Sequence, residues 1–426
     1  MTLLSSIHFG KGKFARDVGI LMSGTVAAQL LPVLISPLLT RIYSPGHFGT
    51  YALYFSLAAI FSLLASGNYE LAIMLSEKEE EVPAIAMVIV LLSLSVCAAL
   101  FILFWLSHPF LSGLLGNREI AGWLVFVPLT ILLMNLSQVF YYVANRGQRY
   151  RVLAFGKFGQ MAVTSLAYIL FGFAGSGVKG LILGDMAGLL FACLYLGLAW
   201  CRGSVPPGPW PRWLQVKQQA YRHRRFPQFS MQANLINSVS NQAPVIMMSN
   251  FFGSAVVGFL NLSQKVLGSP LAVFSKSVSD VFRERASRDY RIHGNCRSVY
   301  MKTMKSLILI SLLPFLVLFF TAPALFSFVF GPAWKIAGEY ARILSLMFFF
   351  RFTASPLSYV FYIAEKQNYD LIWQIVLFVV TVLSILAGVW QGSPRFSLLC
   401  FSISYSVMYL VYLVLSYKFA KGSVHT

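Results

Sequence analysis

Between Asp17 and Arg41 the chain runs for 23 residues without a charge, VGILMSGTVAAQLLPVLISPLLT. About 20 such residues carry a helix across the hydrocarbon core of a bilayer. Lys11, Lys13 and Arg16 precede the run, and the turn Tyr43-Ser44-Pro45-Gly46 follows it with room only to reverse direction. A second apolar run starts at once. The chain is therefore expected to enter a membrane, turn and go back, and the rest of the sequence repeats the move. The first run is too long for a signal-peptide core and leads straight into a second span, so it is read as a retained helix.

The composition of the whole chain leaves little choice of class. It is 58% hydrophobic and 11% charged, where globular chains carry roughly 25% charge. The expectation is an all-α polytopic membrane protein, since a β-barrel would alternate in segments of about ten residues. Twelve spans are expected, near 18–40, 47–68, 83–106, 121–143, 158–174, 178–200, 228–250, 255–275, 303–322, 341–362, 371–390 and 396–417. Prolines 32 and 37 in the first and Pro244 in the seventh predict kinks.

The formal charge is +19. In a water-soluble chain that would point to nucleic acid; here it points to topology, because Lys and Arg hold loops on the cytoplasmic side. With the N-terminus inside, 25 of the 33 basic residues fall on the inner side, 6 outside and 2 within spans. Both termini are expected in the cytoplasm, with the protein in a bacterial cytoplasmic membrane. The acidic run Glu77, Glu79, Glu80, Glu81 weighs little in that rule. The longest polar break, Cys201–Pro227, holds VPPGPWP and YRHRR and separates six spans from six, giving bundles 1–213 and 214–426. Spans one and seven start about 210 residues apart, and each leads to a small similar motif, Phe48-Gly49-Thr50 and Val257-Gly258-Phe259. Six spans per half make a parallel repeat, the arrangement in which two bundles rock about a central site.

No GxGxxG after a strand, Walker A loop or HExxH occurs, the six histidines lack ligand spacing, and the five cysteines show no CxxC. No catalytic residue, metal or cofactor is expected, nor an enzyme. The informative residues are charges at membrane depth, which are costly and usually face a cavity or a partner. Lys265, in NLSQKVLGSP, and Arg351, in MFFFRFTASP, read either as a cationic site for an anionic head group or as buried ion pairs. Asp185, in LILGDMAGLL, reads as their counter-ion, as a proton carrier, or as an ion-pair partner. Glu70, in GNYELAIML, closes span two as a gate or as a solvated carboxylate. Arg41 closes span one as an interface anchor or a ligand contact. Arg16 and Asp17 pair locally or stand at a vestibule. Arg149 belongs to the basic cluster Arg146–Lys157, which, like Arg222–Arg225, is topogenic or holds anionic head groups. Ser275–Lys305, with Val278, Val281 and Phe282 before Arg283, Arg285, Arg288 and Arg291, reads as a helix leaving the membrane to lie at its interface.

Several stretches are familiar together: PLLTRIYSPGHFGTYAL, NYELAIMLSEKEEE, ANRGQRYRVLAFGKFGQ, VVGFLNLSQKVLGSPLAVFSKSVSDVF and FGPAWKIAGEYARILS. In this order the sequence resembles the Wzx-type oligosaccharide flippases, in the polysaccharide transporter branch of the multidrug/oligosaccharidyl-lipid/polysaccharide exporter superfamily. The resemblance implies two six-helix bundles in a V and alternating access. It implies movement of a polyprenyl-diphosphate-linked oligosaccharide to the periplasmic leaflet, for O-antigen, capsule or exopolysaccharide. It also implies coupling to H+ or Na+ and work beside a polysaccharide polymerase and a chain-length regulator. Two positions depart from the family: Lys265 stands where Arg is frequent, and Met247-Met248-Ser249 where a carboxylate is frequent. The rival readings are a multidrug or toxin exporter of the same superfamily and a membrane polymerase or glycosyltransferase. Organic cations prefer carboxylates to a basic cavity, and the first outer loop, RIYSPGHFG, has no Asp or Glu.

Overall fold

A computed structural model describes residues 11–76, 78–202 and 211–422, with the side chains of 11–22 and a few others outside the description. Glu77 and most of VPPGPWP therefore lie outside the described residues. Everything described is helix and short connection, with no strand among the described residues. The helices are α1 (Lys11–Leu34), α2 (Pro45–Ser66), α3 (Val82–Leu114), α4 (Val127–Arg146), α5 (Tyr150–Phe173), α6 (Val178–Cys201) and α7 (Trp213–Arg222). They continue with α8 (Met231–Phe252), α9 (Ser254–His293), α10 (Arg297–Phe330), α11 (Lys335–Ala354), α12 (Gln367–Trp390) and α13 (Pro394–Ala420).

Among the described residues, ten stretches are long and apolar enough to cross a membrane. The expected seventh and eighth spans are helical too, as α8 and the first half of α9, but they are polar. Asn234, Asn237, Ser240, Asn241 and Gln242 crowd α8, and Asn261, Ser263, Gln264 and Lys265 crowd α9. Polar side chains at that depth need polar company.

The expected kink in the first span is a break. α1 stops at Leu34, and a seven-residue helix, Ser36–Ile42, resumes beyond it with Pro37 near its start. Proline has no N–H for the helical ladder and crowds the carbonyl four residues back. Packing divides the chain into two units at this break. One holds the described residues through Ile35, Tyr54–Leu111 and Glu119–Ser238. The other holds Ser36–Leu53, Ser112–Arg118 and the chain from Val239 onward.

The first unit is tied by small residues and hydroxyls. The Asn135 amide donates to Ser93 Oγ at 3.0 Å and accepts from Ser62 Oγ at 2.7 Å, joining α4 to α3 and α2. A Cβ on Gly24 would strike Ala154, and one on Gly188 would strike Thr164, so α1–α5 and α5–α6 pack backbone to backbone. Outside the spans, α7 lies on the same unit. Val216 enters an apolar cluster with Tyr69, Ile73 and Val82, the Tyr69 hydroxyl donates to Ala220 O at 2.9 Å, and Arg222 pairs with Glu81 at 2.8 Å.

The second unit is built on the two motifs expected to be repeats. α2 and α9 begin in direct backbone contact. A Cβ on Gly49 would drive into the Ser254 carbonyl, and one on Gly258 would drive into the Pro45 carbonyl. Each glycine thus meets the residue four places before the other. Trp334 closes the joint. It is 1% exposed, its Nε1 donates to Thr40 O at 3.0 Å, and its ring meets Phe48 and Phe259 edge-on at 5.2 and 5.8 Å. The Thr40 carbonyl lies in the short helix beyond the break, where partners are scarce. The stretches around TRIYSPGHFG, VVGFLNL and FGPAW therefore converge on one junction.

Candidate intramembrane anion site

In the second unit Lys265 and Arg351 come from α9 and α11, which pack along one seam. The Ser263 hydroxyl donates to Ala337 O at 2.6 Å, and Gly268, one turn past Lys265, faces Phe348, one turn before Arg351. Lys265 is half-buried and Arg351 exposed, with its Cζ 6.0 Å from the Phe348 ring centre. The electrostatic neighbours of the Arg351 guanidinium are the phenols of Tyr409 and Tyr405 on α13.

Those phenols belong to a row. Phe401, Tyr405, Tyr409 and Tyr412 follow one face of α13 at spacings of four and three, with successive ring centres 5.0, 5.4 and 6.5 Å apart. All four are buried. The row ends on Asp370, 9% exposed at the start of α12. Tyr412 donates to its Oδ1 at 2.8 Å and Gln374 to its Oδ2 at 2.9 Å. Trp373 packs on Tyr412 at 4.4 Å and donates to Met408 O at 2.9 Å. A guanidinium beside phenolic O–H groups is a set of donors, and donors with a fixed positive charge suit an anion.

Asp185, Glu70 and Arg149 lie in the first unit. Asp185 is half-buried on α6 and interacts electrostatically with Tyr54, whose hydroxyl is 2.6 Å from Thr130 Oγ1. Arg149 donates to Ala199 O at 2.7 Å, which satisfies a carbonyl in the last turn of α6. Arg41 is exposed at the end of Ser36–Ile42 in the second unit. Arg16 and Asp17 lie in α1 with side chains outside the described residues.

Glu70 opens the short helix Glu70–Leu75 beyond α2. It is 8% exposed and bonded to Ser66, while its Oε2 has no hydrogen-bond partner; Asn68 Nδ2 beside it in sequence has none either. The backbone turns there through left-handed Gly67 and Asn68, with φ of 60° and 59°. Burial pushes the Glu70 carboxyl above the ordinary carboxylate range. A carboxyl raised on folding holds its proton more tightly in the folded state. Stability is then fullest at pH below the unfolded carboxylate value and falls as pH rises through the raised one. Thermal unfolding of the detergent-solubilised protein across that window is expected to show this fall, and Glu70→Gln to flatten it. An equal slope in the variant would assign the proton to another group.

Three features were not singled out from the sequence as site residues. Asp370 sits one residue before the expected start of its span. Lys157 sits one residue before another, yet lies within α5, half-buried with Nζ 4.5 Å from the Tyr141 ring centre. The tyrosine row was lost among 20 tyrosines and 37 phenylalanines; its spacing of four then three was the available signal. Among the described residues no three His, Cys, Asp or Glu side chains cluster as metal ligands would.

Residues 38–339 match a family described as polysaccharide biosynthesis protein. A curated relative, the teichuronic acid biosynthesis protein TuaB of Bacillus subtilis (strain 168), is 20% identical over 308 residues, 69% of this chain and 60% of its own length. The chain therefore aligns with less than two thirds of that relative. Among solved structures, the lipid II flippase MurJ in an inward closed conformation superposes with a TM-score of 0.73 at 15% identity, over 94% of this chain and 87% of that one. An inward-facing multidrug resistance transporter of the MATE family, in the MOP superfamily, gives 0.66 at 16% identity over 91% and 93%. At these identities the likeness is one of fold, and it is the exporter fold that the motifs implied.

Proposed function

Because the chain belongs to the polysaccharide biosynthesis protein family, we propose that it is a flippase for a polyprenyl-diphosphate-linked oligosaccharide repeat unit. It moves the unit from the cytoplasmic to the periplasmic leaflet by alternating access of its two six-helix halves, 1–213 and 214–426, and performs no covalent chemistry. The supporting observation is Arg351 at membrane depth beside the phenols of Tyr405 and Tyr409. A lipid-borne diphosphate is an anion that must pass the low-dielectric core, and a fixed cation with hydrogen-bond donors lowers that barrier. The prenyl tail stays in the bilayer throughout. Lys265 on the same seam adds a second positive charge, and Arg41, Arg149 and Arg16 serve the head group nearer the surfaces.

An ion gradient, of H+ or Na+, drives the cycle, with Asp185, Glu70 and Asp17 as candidate coupling or gating groups. The protein sits in the cytoplasmic membrane with both termini inside and delivers its product to a polymerase and a chain-length regulator. The glycan is a repeat unit of O-antigen, capsule or exopolysaccharide. A relative named for teichuronic acid synthesis favours such a polymer over a drug as cargo. So does the basic character of the site, since organic cations are attracted to carboxylates.

The test is the leaflet location of the lipid-linked oligosaccharide in cells lacking the protein. Complete, unpolymerised units are expected to accumulate facing the cytoplasm. Units that reach the periplasm yet stay unpolymerised would overturn the flippase reading in favour of a polymerase. Asp185→Asn is expected to weaken dependence on the ion gradient in proteoliposome flipping assays, and unchanged coupling would remove Asp185 from that role.

A further inference from the structure

α9 is 40 residues long, about twice what a bilayer crossing needs. Its C-terminal turns carry Arg283, Ser287, Tyr290 and Arg291 at spacings of four, three and one, which place them along one helix face. Facing them in the same unit are the turn Ser355–Tyr359 and the short helix Val360–Ile363. Between the two is a cavity of about 320 Å³ lined by Ser287, Tyr290, Arg291, Tyr359, Tyr362 and Ile363. That volume is at the lower end of the range for small-molecule sites, roughly 300–1,000 Å³.

The lining, with Arg283 stacked on one of its tyrosines but not itself part of it, has a consistent chemistry. The Arg283 guanidinium lies over the Tyr359 ring at 4.4 Å, and Tyr359 stacks on Tyr362 with centres 5.6 Å apart and planes 24° from parallel. A guanidinium stacked by its face keeps its edge N–H groups free to point outward, and a planar fork matches phosphate oxygens. Arg291 at the cavity supplies a second fork, and three phenols and one hydroxyl add donors. Neither arginine forms an ion pair among the described residues. The carboxylates of the same extension, Asp280, Glu284 and Asp289, do not line the cavity.

We propose that this cavity is a phosphate-recognition site for a lipid head group presented at the membrane surface. A basic pocket at the end of a membrane helix is where a lipid-borne phosphate is within reach. The tyrosine pair forms an aromatic wall against which the adjoining part of the head group packs. The phosphate has two possible sources, the diphosphate of a prenyl-linked substrate or the head group of an anionic phospholipid. The inference does not rest on the transport reading, because a phosphate pocket serves either source whether or not the protein moves lipid.

The experiment uses the full chain in the Arg351→Gln background, so that binding at the deeper cation is weakened. Protein in phosphatidylcholine nanodiscs is titrated with farnesyl diphosphate and with inorganic diphosphate. In parallel, native mass spectrometry counts phosphatidylglycerol retained from mixed nanodiscs. Adding Arg283→Gln and Arg291→Gln is expected to weaken one of these ligands at least about tenfold, the loss of one charge-assisted contact. Loss confined to the prenyl diphosphate identifies the substrate source. Loss confined to phosphatidylglycerol identifies the phospholipid. Ser287→Phe, which fills the cavity and leaves both arginines in place, is expected to give the same loss and covers the case in which the double variant misfolds. Binding of farnesyl diphosphate, inorganic diphosphate and phosphatidylglycerol all unchanged in folded Ser287→Phe or in the double variant overturns the proposal.

Discussion

Arg351→Gln is expected to lower the affinity of the purified protein for a prenyl diphosphate by roughly 30- to 100-fold, and to stop glycan export at unchanged protein level. The magnitude follows from the about 2–3 kcal/mol that a hydrogen bond to a charged group contributes. Gln removes the charge and keeps an amide donor on a shorter side chain, so the loss combines the missing charge with the lost reach of the guanidinium. Arg351→Lys is expected to fall between the two, since it keeps the charge and loses the planar fork. Tyr409→Phe and Tyr405→Phe remove one donor each while keeping the buried rings of the row, and each is expected to cost less than tenfold. The binding titration and an export assay in cells read the same series. Wild-type affinity and export in Arg351→Gln would move the anion site away from α11, with Lys265→Ala the next variant to test.

The row also gives a reason to examine Asp370. Through Tyr412 the carboxylate is bonded to the same helix face that carries the neighbours of Arg351. A change at Arg351 is thereby linked to the start of α12 by packed rings rather than by loops. A physical linkage of this kind is a route for coupling only if the two ends bias one conformational equilibrium. The test is a double-mutant cycle of Arg351→Gln with Asp370→Asn: the ligand affinities are expected to be non-additive, and additivity would sever the two.

The sequence makes the class of fold legible because hydrocarbon allows so few answers: runs of about 20 apolar residues have no other use on this scale. Lys265 and Arg351 stand out by the same logic, as charges where charge is expensive. Other features were hidden for reasons that can be named. Asp370 and Lys157 lie at the edges of their apolar runs, where a charge is unremarkable in one dimension. The Gly49–Gly258 crossing brings together residues about 210 positions apart, and its trace in sequence is only a shared glycine in two apolar hexamers. Chain order places Ser36–Leu53 among the early spans, while packing joins it to the late ones. Proline positions signal a break near Pro37 but carry nothing about which neighbours the second piece of the helix will meet. Arg149 reads as one more loop cation until the Ala199 carbonyl is seen in its reach.

Gly258→Ala is expected to destabilise the protein by about 3 kcal/mol or more, the upper range for overpacking a well-filled contact. The added methyl would meet the Pro45 backbone carbonyl, which no rotamer change can move aside. Relief requires α9 to separate from the start of α2. That separation would open the packing of Phe48 and Phe259 on Trp334 and strain the bond from Trp334 Nε1 to Thr40 O. Gly49→Ala makes the reciprocal clash with the Ser254 carbonyl and is expected to cost about the same. The double variant distinguishes this account from simple loss of glycine flexibility. If both methyls force one common separation, the second adds little once the first is present, and the pair is strongly non-additive. Gly122→Ala serves as the control, because a Cβ there meets nothing within 4 Å. Thermal unfolding in detergent, followed by size-exclusion fluorescence, reads all four variants. A Gly258→Ala protein that melts with the wild type would mean that the segments around Gly49 and Gly258 do not meet backbone to backbone. The junction would then have to be held by the Trp334 contacts alone, and Trp334→Ala would become the more damaging change.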